Sequence, residues 1–346
     1  MTGYQDLHAE LRAVASDLLA KDDVGWPLLV QAGWVGLEAP EHCGGAGASF
    51  AEVAVVLDQI GRAATSTTYL GGAVLSVGAL NALPPSDVRD ALLSAVVAGE
   101  VRAAVALPTD GSTAPRFHFD GATVTGRAEF VPDAGVADEL LLPAIGPQGQ
   151  SVIVGVPAAA LEVQRQPVLD ETRSLATVSA DSVAVDPSAV WAVDTGTAAA
   201  LLDRARLAVA CDSLGLAETM LDATVSYARV REQFGRPIGS FQAVKHACAD
   251  MLVTVTVGRR LVADAVEAVV AGAPGATTAV LMAKAHACGS AVDVVGKAMQ
   301  LHGGIGYTWE SGIHVYLKRA ALNRSLFGSP AAHRKQLAER YENWRN

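Results

Sequence analysis

Residues 227–246 read YARVREQFGRPIGSFQAVKH, and residues 300–310 read QLHGGIGYTWE. Arginine offers a planar fork of donors that suits phosphate, and paired glycines let a backbone approach a large ligand closely. A simple helix-ending turn would also explain each glycine taken alone.

The composition around these stretches is that of a folded protein with a large core. Hydrophobic residues make up 51% of the 346 residues, and 26 basic against 36 acidic residues give a formal charge of −10. This balance disfavours a general nucleic-acid surface. The N-terminus shows no export signal, and the four cysteines form no CxxC pair, which is typical of reduced, packed thiols. We therefore expect a cytoplasmic protein.

Two further features could be misread as a metal site or a membrane span. The pairs His246/Cys248 and His286/Cys288 repeat at a spacing of two residues, which on a helix points side chains to nearly opposite sides. No metal site is predicted there. Residues 63–86 lack charge but hold several threonines, glycines and two prolines, so they are too polar to insert into a bilayer.

The periodicity of apolar residues divides the chain into three parts. Residues 1–100 show the three- and four-residue spacing of helices, residues 101–188 alternate with period two, and residues 189–346 return to long helical stretches. We expect an α+β protein with an N-terminal helical domain, a middle antiparallel β domain and a C-terminal four-helix bundle.

The stretches at 227–246 and 300–310 resemble signature segments of acyl-CoA dehydrogenases, and residues 33–47 resemble that family's N-terminal domain. The resemblance covers nearly the whole chain. It implies FAD as cofactor, held between the β domain and the bundle, and an acyl-CoA substrate. It also implies that an electron-transfer flavoprotein accepts the electrons. The residues that match the family's contacts to the FAD of a neighbouring subunit are Arg231, Gln233, Phe234, Gln300, Gly303 and Gly304.

Desaturation of an acyl-CoA requires a carboxylate base opposite the flavin. The resemblance places this glutamate at Phe327 or at Ala205, and neither residue can accept a proton. Asp203 points to a different face of the helix from Ala205. Asp212 lies close to two turns further on, about 10 Å along the axis, so an ion pair is a better interpretation of it than a general base.

The flavin side of the β domain also departs from the family pattern. Phe130-Val131-Pro132 stands where the family has a Trp-Ile-Thr or Trp-Ile-Ser stretch, and Pro132 has no donor. The loop before this stretch, which in the family reads like Thr-Glu-Pro-x-Ala-Gly-Ser-Asp, is reduced here to LPTDGS at residues 107–112. This combination resembles the smaller subunit of actinobacterial α2β2 acyl-CoA dehydrogenases of steroid breakdown, in which a larger partner supplies the base.

Three alternatives stay open at this point. The chain could be a family member that does base-independent, desulfinase-like chemistry, or a self-associating dehydrogenase that uses Asp212. It could also be a purely structural subunit without cofactor contact. The sequence leaves the acyl group open among steroid side chains, branched acyl groups and fatty acyl groups.

Overall fold

The computed structural model describes residues 2–21 and 24–345, with side chains from 7 to 341 in those ranges. The chain divides into two compact units. The helical unit comprises Met1–Lys21, Ala54–Thr65 and Val209–Asn346, and the sheet unit comprises Asp22–Val53 and Ser66–Ala208.

The first hundred residues are helical, as the spacing of their apolar residues predicts. Ser49 and Glu52 form a capping box at the start of the third helix, where the Ser49 backbone N–H donates to Glu52 Oε2 at 2.9 Å. A buried π-helix follows it. The helices are α1 (Thr2–Leu19), α2 (Trp26–Gln31), α3 (Phe50–Ala63), the π-helix (Tyr69–Leu75), α4 (Ser76–Ala82) and α5 (Asp87–Val97).

Eight strands of the sheet unit form one sheet in the order β6-β7-β3-β2-β4-β5-β8, with β1 paired to β4. Most pairings are antiparallel, as predicted, but β1 and β2 both run parallel to β4. The cause is that these two short strands occupy successive parts of one edge of β4. The strands are β1 (Ala103–Val105), β2 (Phe117–Phe119), β3 (Thr123–Pro132), β4 (Glu139–Ile145), β5 (Ser151–Pro157), β6 (Glu162–Gln166), β7 (Leu175–Ala184) and β8 (Val190–Ala192).

The core of the sheet unit is a cluster of buried alanine, valine, leucine and phenylalanine side chains, including Phe117, Leu142 and Val178. The alternating pattern of the strands supplies these residues, because successive side chains point to opposite faces. The strands continue to Ala192, just past the predicted end of the β domain at residue 188. The division into three domains stays a prediction.

The helical unit contains the long C-terminal helices. They are α6 (Thr197–Val230), α7 (Gln242–Val270), α8 (Ala276–His302), α9 (Ile313–Ser325) and α10 (Pro330–Arg345). Helix α6 belongs to this unit from Val209 onward, and its first residues belong to the sheet unit. Helix α8 is central and packs against α7, α9 and α10. The chain after Gly312 forms two helices, because Phe327 and Gly328 adopt positive φ angles of 60° and 104° that end α9.

One segment, Ala276–Tyr307, is long and apolar enough to cross a membrane by length and hydropathy. Of its most apolar window, 56% is buried inside the protein. Such burial is typical of a core helix, and α8 has that position among the C-terminal helices.

The pKa of the Glu139 carboxyl is raised by burial to about 7. This residue begins β4 beside the ring of Trp191, and Gly155 leaves room for both. A Cβ atom built at Gly155 would lie 3.2 Å from Glu139 Oε1 and 3.2 Å from Trp191 Cζ3. Because burial disfavours the charged form, the folded protein holds a proton here at pH values where the unfolded chain has lost it.

We predict that the Glu139 carboxyl lowers the free energy of unfolding as the pH rises from about 4.5 to about 7. These two values are its pKa in the unfolded chain and its pKa in the folded protein. Replacing it with glutamine (Glu139→Gln) should leave stability unchanged at the acid end and raise it at about pH 8. Urea titrations at both pH values measure the difference. The exposed Glu100→Gln variant is the control, and identical pH dependence in Glu139→Gln and wild type would refute the prediction.

Candidate functional site

The first signature stretch forms a β-hairpin at the end of α6. Its strands are β9 (Glu232–Gln233) and β10 (Arg236–Pro237), and Gln233 pairs with Arg236. The two turn residues, Phe234 and Gly235, have φ angles of 55° and 75°. A two-residue hairpin turn favours this left-handed geometry, which is easy for glycine and costs a phenylalanine about 1–2 kcal/mol.

Phe234 is 92% exposed, although its ring lies edge-on to Phe241 at 6.1 Å. A large apolar side chain held in a strained turn and pointed at solvent indicates a surface that another molecule covers. The same two stretches carry further exposed apolar side chains. They are Val230, Ile305, Tyr307 and Trp309.

Arg231 is exposed at the base of the hairpin. Its backbone closes α6, since its N–H donates to the Tyr227 carbonyl at 2.9 Å and its carbonyl accepts from Ile238 N–H at 2.8 Å. Within residues 2–21 and 24–345 its guanidinium has no ion-pair partner. The fork of donors is therefore available to an anionic ligand. Gln233 is also exposed, and its side-chain amide donates to the Glu232 carbonyl at 2.8 Å.

The second signature stretch is the end of α8 and the turn after it. Gly303 has φ 64° and ψ −141°, a conformation that only glycine adopts without strain. A Cβ at Gly303 or Gly304 would meet no atom within 4 Å, and Gln300 is exposed one turn earlier. The backbone of this turn is therefore open to close approach by a ligand.

The helical unit holds the two signature stretches together at one contact. The ring of Tyr227, which opens the first stretch, stacks on His302 at 4.4 Å with an interplanar angle of 19°. Its hydroxyl donates to the His302 carbonyl at 3.4 Å. Since Arg231 lies one helical turn beyond Tyr227 and Gly303 directly follows His302, the hairpin base and the glycine turn start from neighbouring points. We call these two segments, 231–237 and 300–307, the closing surface.

Asp212 lies inside the helical unit with 0% exposure. Both of its carboxylate oxygens are bound by Arg319, through Nε at 3.1 Å and Nη2 at 2.6 Å. Asn323 Nδ2 donates to the same carboxylate at 2.6 Å, and Arg319 Nη1 donates to the Thr65 carbonyl at 2.8 Å. A carboxylate enclosed by these donors is part of a buried ion-pair network, which is the interpretation favoured by its position on the helix.

The two positions expected to hold the base are both buried and apolar. Ala205 has 0% exposure on α6, and Phe327 has 0% exposure in the turn between α9 and α10. The nearby Asp203 is ion-paired to Arg206 at 2.9 Å, and Arg206 also donates to the Gly111 carbonyl at 3.1 Å. Neither position offers an ionisable oxygen, and the acidic neighbour already has a partner.

The altered strand of the sheet unit has a bulge at Phe130, where the register with β7 shifts between Ala128 and Val131. Phe130 has a φ of 56°, and its backbone N–H donates to Gln166 Oε1 at 2.5 Å. Because Pro132 has no N–H, neither of these two residues has a free backbone donor for a ligand.

Sequence reasoning missed Arg319 as the partner of Asp212. The two residues are separated by 107 positions and lie on different helices, so no spacing rule links them. A signal was available in principle, because an aspartate on a helix with apolar neighbours on most sides needs a cation nearby when it is buried.

Comparison with known proteins gives a consistent result. The model of the acyl-CoA dehydrogenase N-terminal domain matches residues 7–100, and that of the C-terminal domain matches residues 195–342. The acyl-CoA dehydrogenase IpdE2 of Mycolicibacterium smegmatis is 34% identical over 328 residues, covering 94% of this chain and 91% of that protein. IpdE2 of Mycobacterium tuberculosis is 32% identical, covering 93% and 88%.

Solved structures agree with these relatives. A variant of the Tcur3481-Tcur3483 steroid ACAD is 28% identical, with a TM-score of 0.87 and coverage of 99% of both chains. The ChsE4-ChsE5 complex from Mycobacterium tuberculosis is 26% identical, with a TM-score of 0.87 and coverage of 98% and 96%.

We predict that Arg319→Met lowers the free energy of unfolding by about 3–5 kcal/mol, because it leaves the Asp212 charge buried without its cation. Denaturant titration measures this. Replacing both partners, as Asp212→Leu with Arg319→Met, should cost less than the single change. The control is Arg260→Ala, which removes an exposed pair with Asp264 and should change stability by less than about 0.5 kcal/mol. A loss in Arg319→Met no larger than in this control would contradict the prediction.

Proposed function

Because the chain belongs to the acyl-CoA dehydrogenase family, we propose that it is the subunit of a heteromeric dehydrogenase that completes the FAD site of a partner and lacks its own catalytic glutamate. Members of this family are FAD-dependent oxidoreductases that act on the CH–CH bond of acyl-CoA thioesters. The chain has the family's helical N-terminal domain, central sheet and helical C-terminal domain.

One contrast carries the proposal. The closing surface is exposed and keeps its ligand-contacting residue types, whereas Ala205 and Phe327 are buried hydrocarbon where a carboxylate is required. A self-sufficient enzyme needs both features in each chain. A subunit that only completes its neighbour's site needs the first alone.

The closing surface suits the phosphate and adenosine end of FAD. The Arg231 guanidinium would bind pyrophosphate oxygens through charge-assisted hydrogen bonds. The turn at Gly303 and Gly304 would let the backbone approach the cofactor, with Gln300 and Gln233 as further polar contacts. Phe234 would lose its exposure to water against the partner. When bound, FAD supplies the hydride acceptor of the desaturation.

The chain's own side of a flavin site is poor in donors. The Phe130 N–H is taken by Gln166, and Pro132 has none. Removal of the substrate's α-proton is assigned to the partner, because Asp212 is enclosed by Arg319 and Asn323 and Asp203 is paired with Arg206.

The partner is a larger acyl-CoA dehydrogenase subunit that retains the glutamate. Two similar solved structures contain named pairs, Tcur3481-Tcur3483 and ChsE4-ChsE5, and the first is a steroid ACAD. We extend this to a cytoplasmic heterotetramer that desaturates an acyl-CoA, with a steroid-derived acyl group as the leading substrate class. An electron-transfer flavoprotein reoxidises the cofactor.

The test is Arg231→Ala in the complex of this chain with its larger partner. Losing one charge-assisted contact should weaken FAD retention about 10- to 100-fold. The ratio of flavin to protein absorbance after gel filtration measures this, and the same experiment reports whether the complex stays assembled. The control is Arg260→Ala on α7, an exposed arginine outside the closing surface. Unchanged flavin content in Arg231→Ala would refute the role and favour a purely structural subunit.

A second candidate is motivated by the same missing carboxylates. A self-associating enzyme that does base-independent, desulfinase-like chemistry on an acyl-CoA would need no glutamate at either position. It predicts that the chain purified alone binds flavin or a CoA thioester. The leading proposal predicts a colourless chain without dehydrogenase turnover.

The third candidate, a homomeric dehydrogenase with Asp212 as base, predicts that Asp212→Asn abolishes turnover while the protein stays folded. We expect Asp212→Asn to act on stability instead, because its contacts are those of a buried ion pair. Turnover per folded molecule, scored by near-ultraviolet circular dichroism, separates the two outcomes.

A further inference from the structure

Three side chains with different donor atoms meet in the sheet unit. They are His42 and Cys43, in the turn after Pro40, and Asp90, in the first turn of α5. Their ligand atoms all lie within 4.8 Å of one another, and His42 Nε2 is 3.8 Å from Asp90 Oδ2. Cys43 stands 47 positions before Asp90 in the sequence, so the fold creates this cluster.

Local structure holds both sides of the cluster in place. A short 3-10 helix, Glu41–Cys43, ends at Gly44, whose φ of 82° turns the chain sharply. Cys43 is buried, with its sulfur 3.9 Å from the Asp90 carbonyl. On the other side, Ser86 caps α5 by accepting from the Arg89 N–H at 3.2 Å. The three donors therefore need side-chain rotation rather than backbone movement to converge.

We propose that His42, Cys43 and Asp90 bind one zinc ion, with solvent water as the fourth ligand. Imidazole nitrogen, thiolate sulfur and carboxylate oxygen are the three ligand types that zinc takes in proteins. Tetrahedral bonds of about 2.0–2.3 Å place neighbouring donors about 3.5 Å apart, so the cluster contracts by about 1 Å on binding. The Cys43 thiol loses its proton to solvent as the Zn–S bond forms.

The electrostatics of the cluster leave one carboxylate oxygen for the metal. Arg89 Nε lies 2.9 Å from Asp90 Oδ1, and the other oxygen, Oδ2, faces His42. The His42 side chain is 64% exposed, which gives water access to the fourth position. A plain contact between His42 and Asp90 would not require a buried thiol beside it. Zinc explains why all three groups converge.

Bound zinc would tie the turn around His42 to α5 and stabilise the sheet unit. The three ligands are not residues of the closing surface, and the proposal does not depend on the proposed function. It revises the expectation that the chain has no metal site, which considered only the His-x-Cys pairs at 246–248 and 286–288.

The test uses the full chain, stripped with EDTA and titrated with Zn²⁺, and with Co²⁺ as the optical probe. We expect one equivalent of tight binding, a thiolate-to-cobalt charge-transfer band and the visible spectrum of tetrahedral cobalt. Cys43→Ser should remove the charge-transfer band, and Asp90→Asn should weaken zinc binding by about 100-fold. The melting temperature should rise with zinc in wild type and stay constant in Cys43→Ser.

Cys248→Ser is the matched control, because Cys248 lies on α7 and is partly exposed, so serine should be tolerated there. It should bind both metals as wild type does. Three outcomes would overturn the proposal. They are the absence of a thiolate–cobalt band in the wild type, a band that persists in Cys43→Ser, and zinc binding equal in wild type and Asp90→Asn, which would indicate adventitious surface binding only.

Discussion

The buried ion pair between Asp212 and Arg319 constrains the helical unit more than any other polar contact described above. Two charges removed from water cost several kcal/mol each, and only close, multiple hydrogen bonds offset that cost. Asn323 donates to the carboxylate and the Thr65 carbonyl accepts from Arg319, so three distant parts of the chain meet in one network. The network fixes the position of α9 relative to α6 and leaves the carboxylate fully buried.

The polar groups in the interior of the helical unit are arranged differently from those on its closing surface. In the interior of the helical unit the Asp212 carboxylate is bound by Arg319 and Asn323, whereas the closing surface leaves Arg231 without an ion-pair partner among the described residues and Phe234 open to solvent. A strained turn lowers the stability of an isolated protein, and exposed apolar side chains mark a surface that another molecule covers. Such features persist where an assembled complex uses them, which agrees with a subunit that completes another subunit's site.

Much of this architecture could be predicted from periodicity alone. The helical period, the switch to alternation near residue 101 and the return to helices gave the fold class, and the matches to both family domains confirm it. Other features depend on contacts that no local rule encodes. The Asp212–Arg319 pair joins residues 107 positions apart, the parallel pairing of β1 follows from sheet topology, and the cluster at Asp90 needs the turn at Cys43 to fold against α5. The roles of the six closing-surface residues and of Asp212 stay predictions.

Phe327 has an implication for how such a chain evolves. Its left-handed backbone ends α9, and its ring fills a fully buried space. Replacing it with glutamate would place an anion in a space filled by hydrocarbon, on a residue with positive φ, at a cost of several kcal/mol. A carboxylate at this position would therefore have to be gained together with changes in the side chains around it.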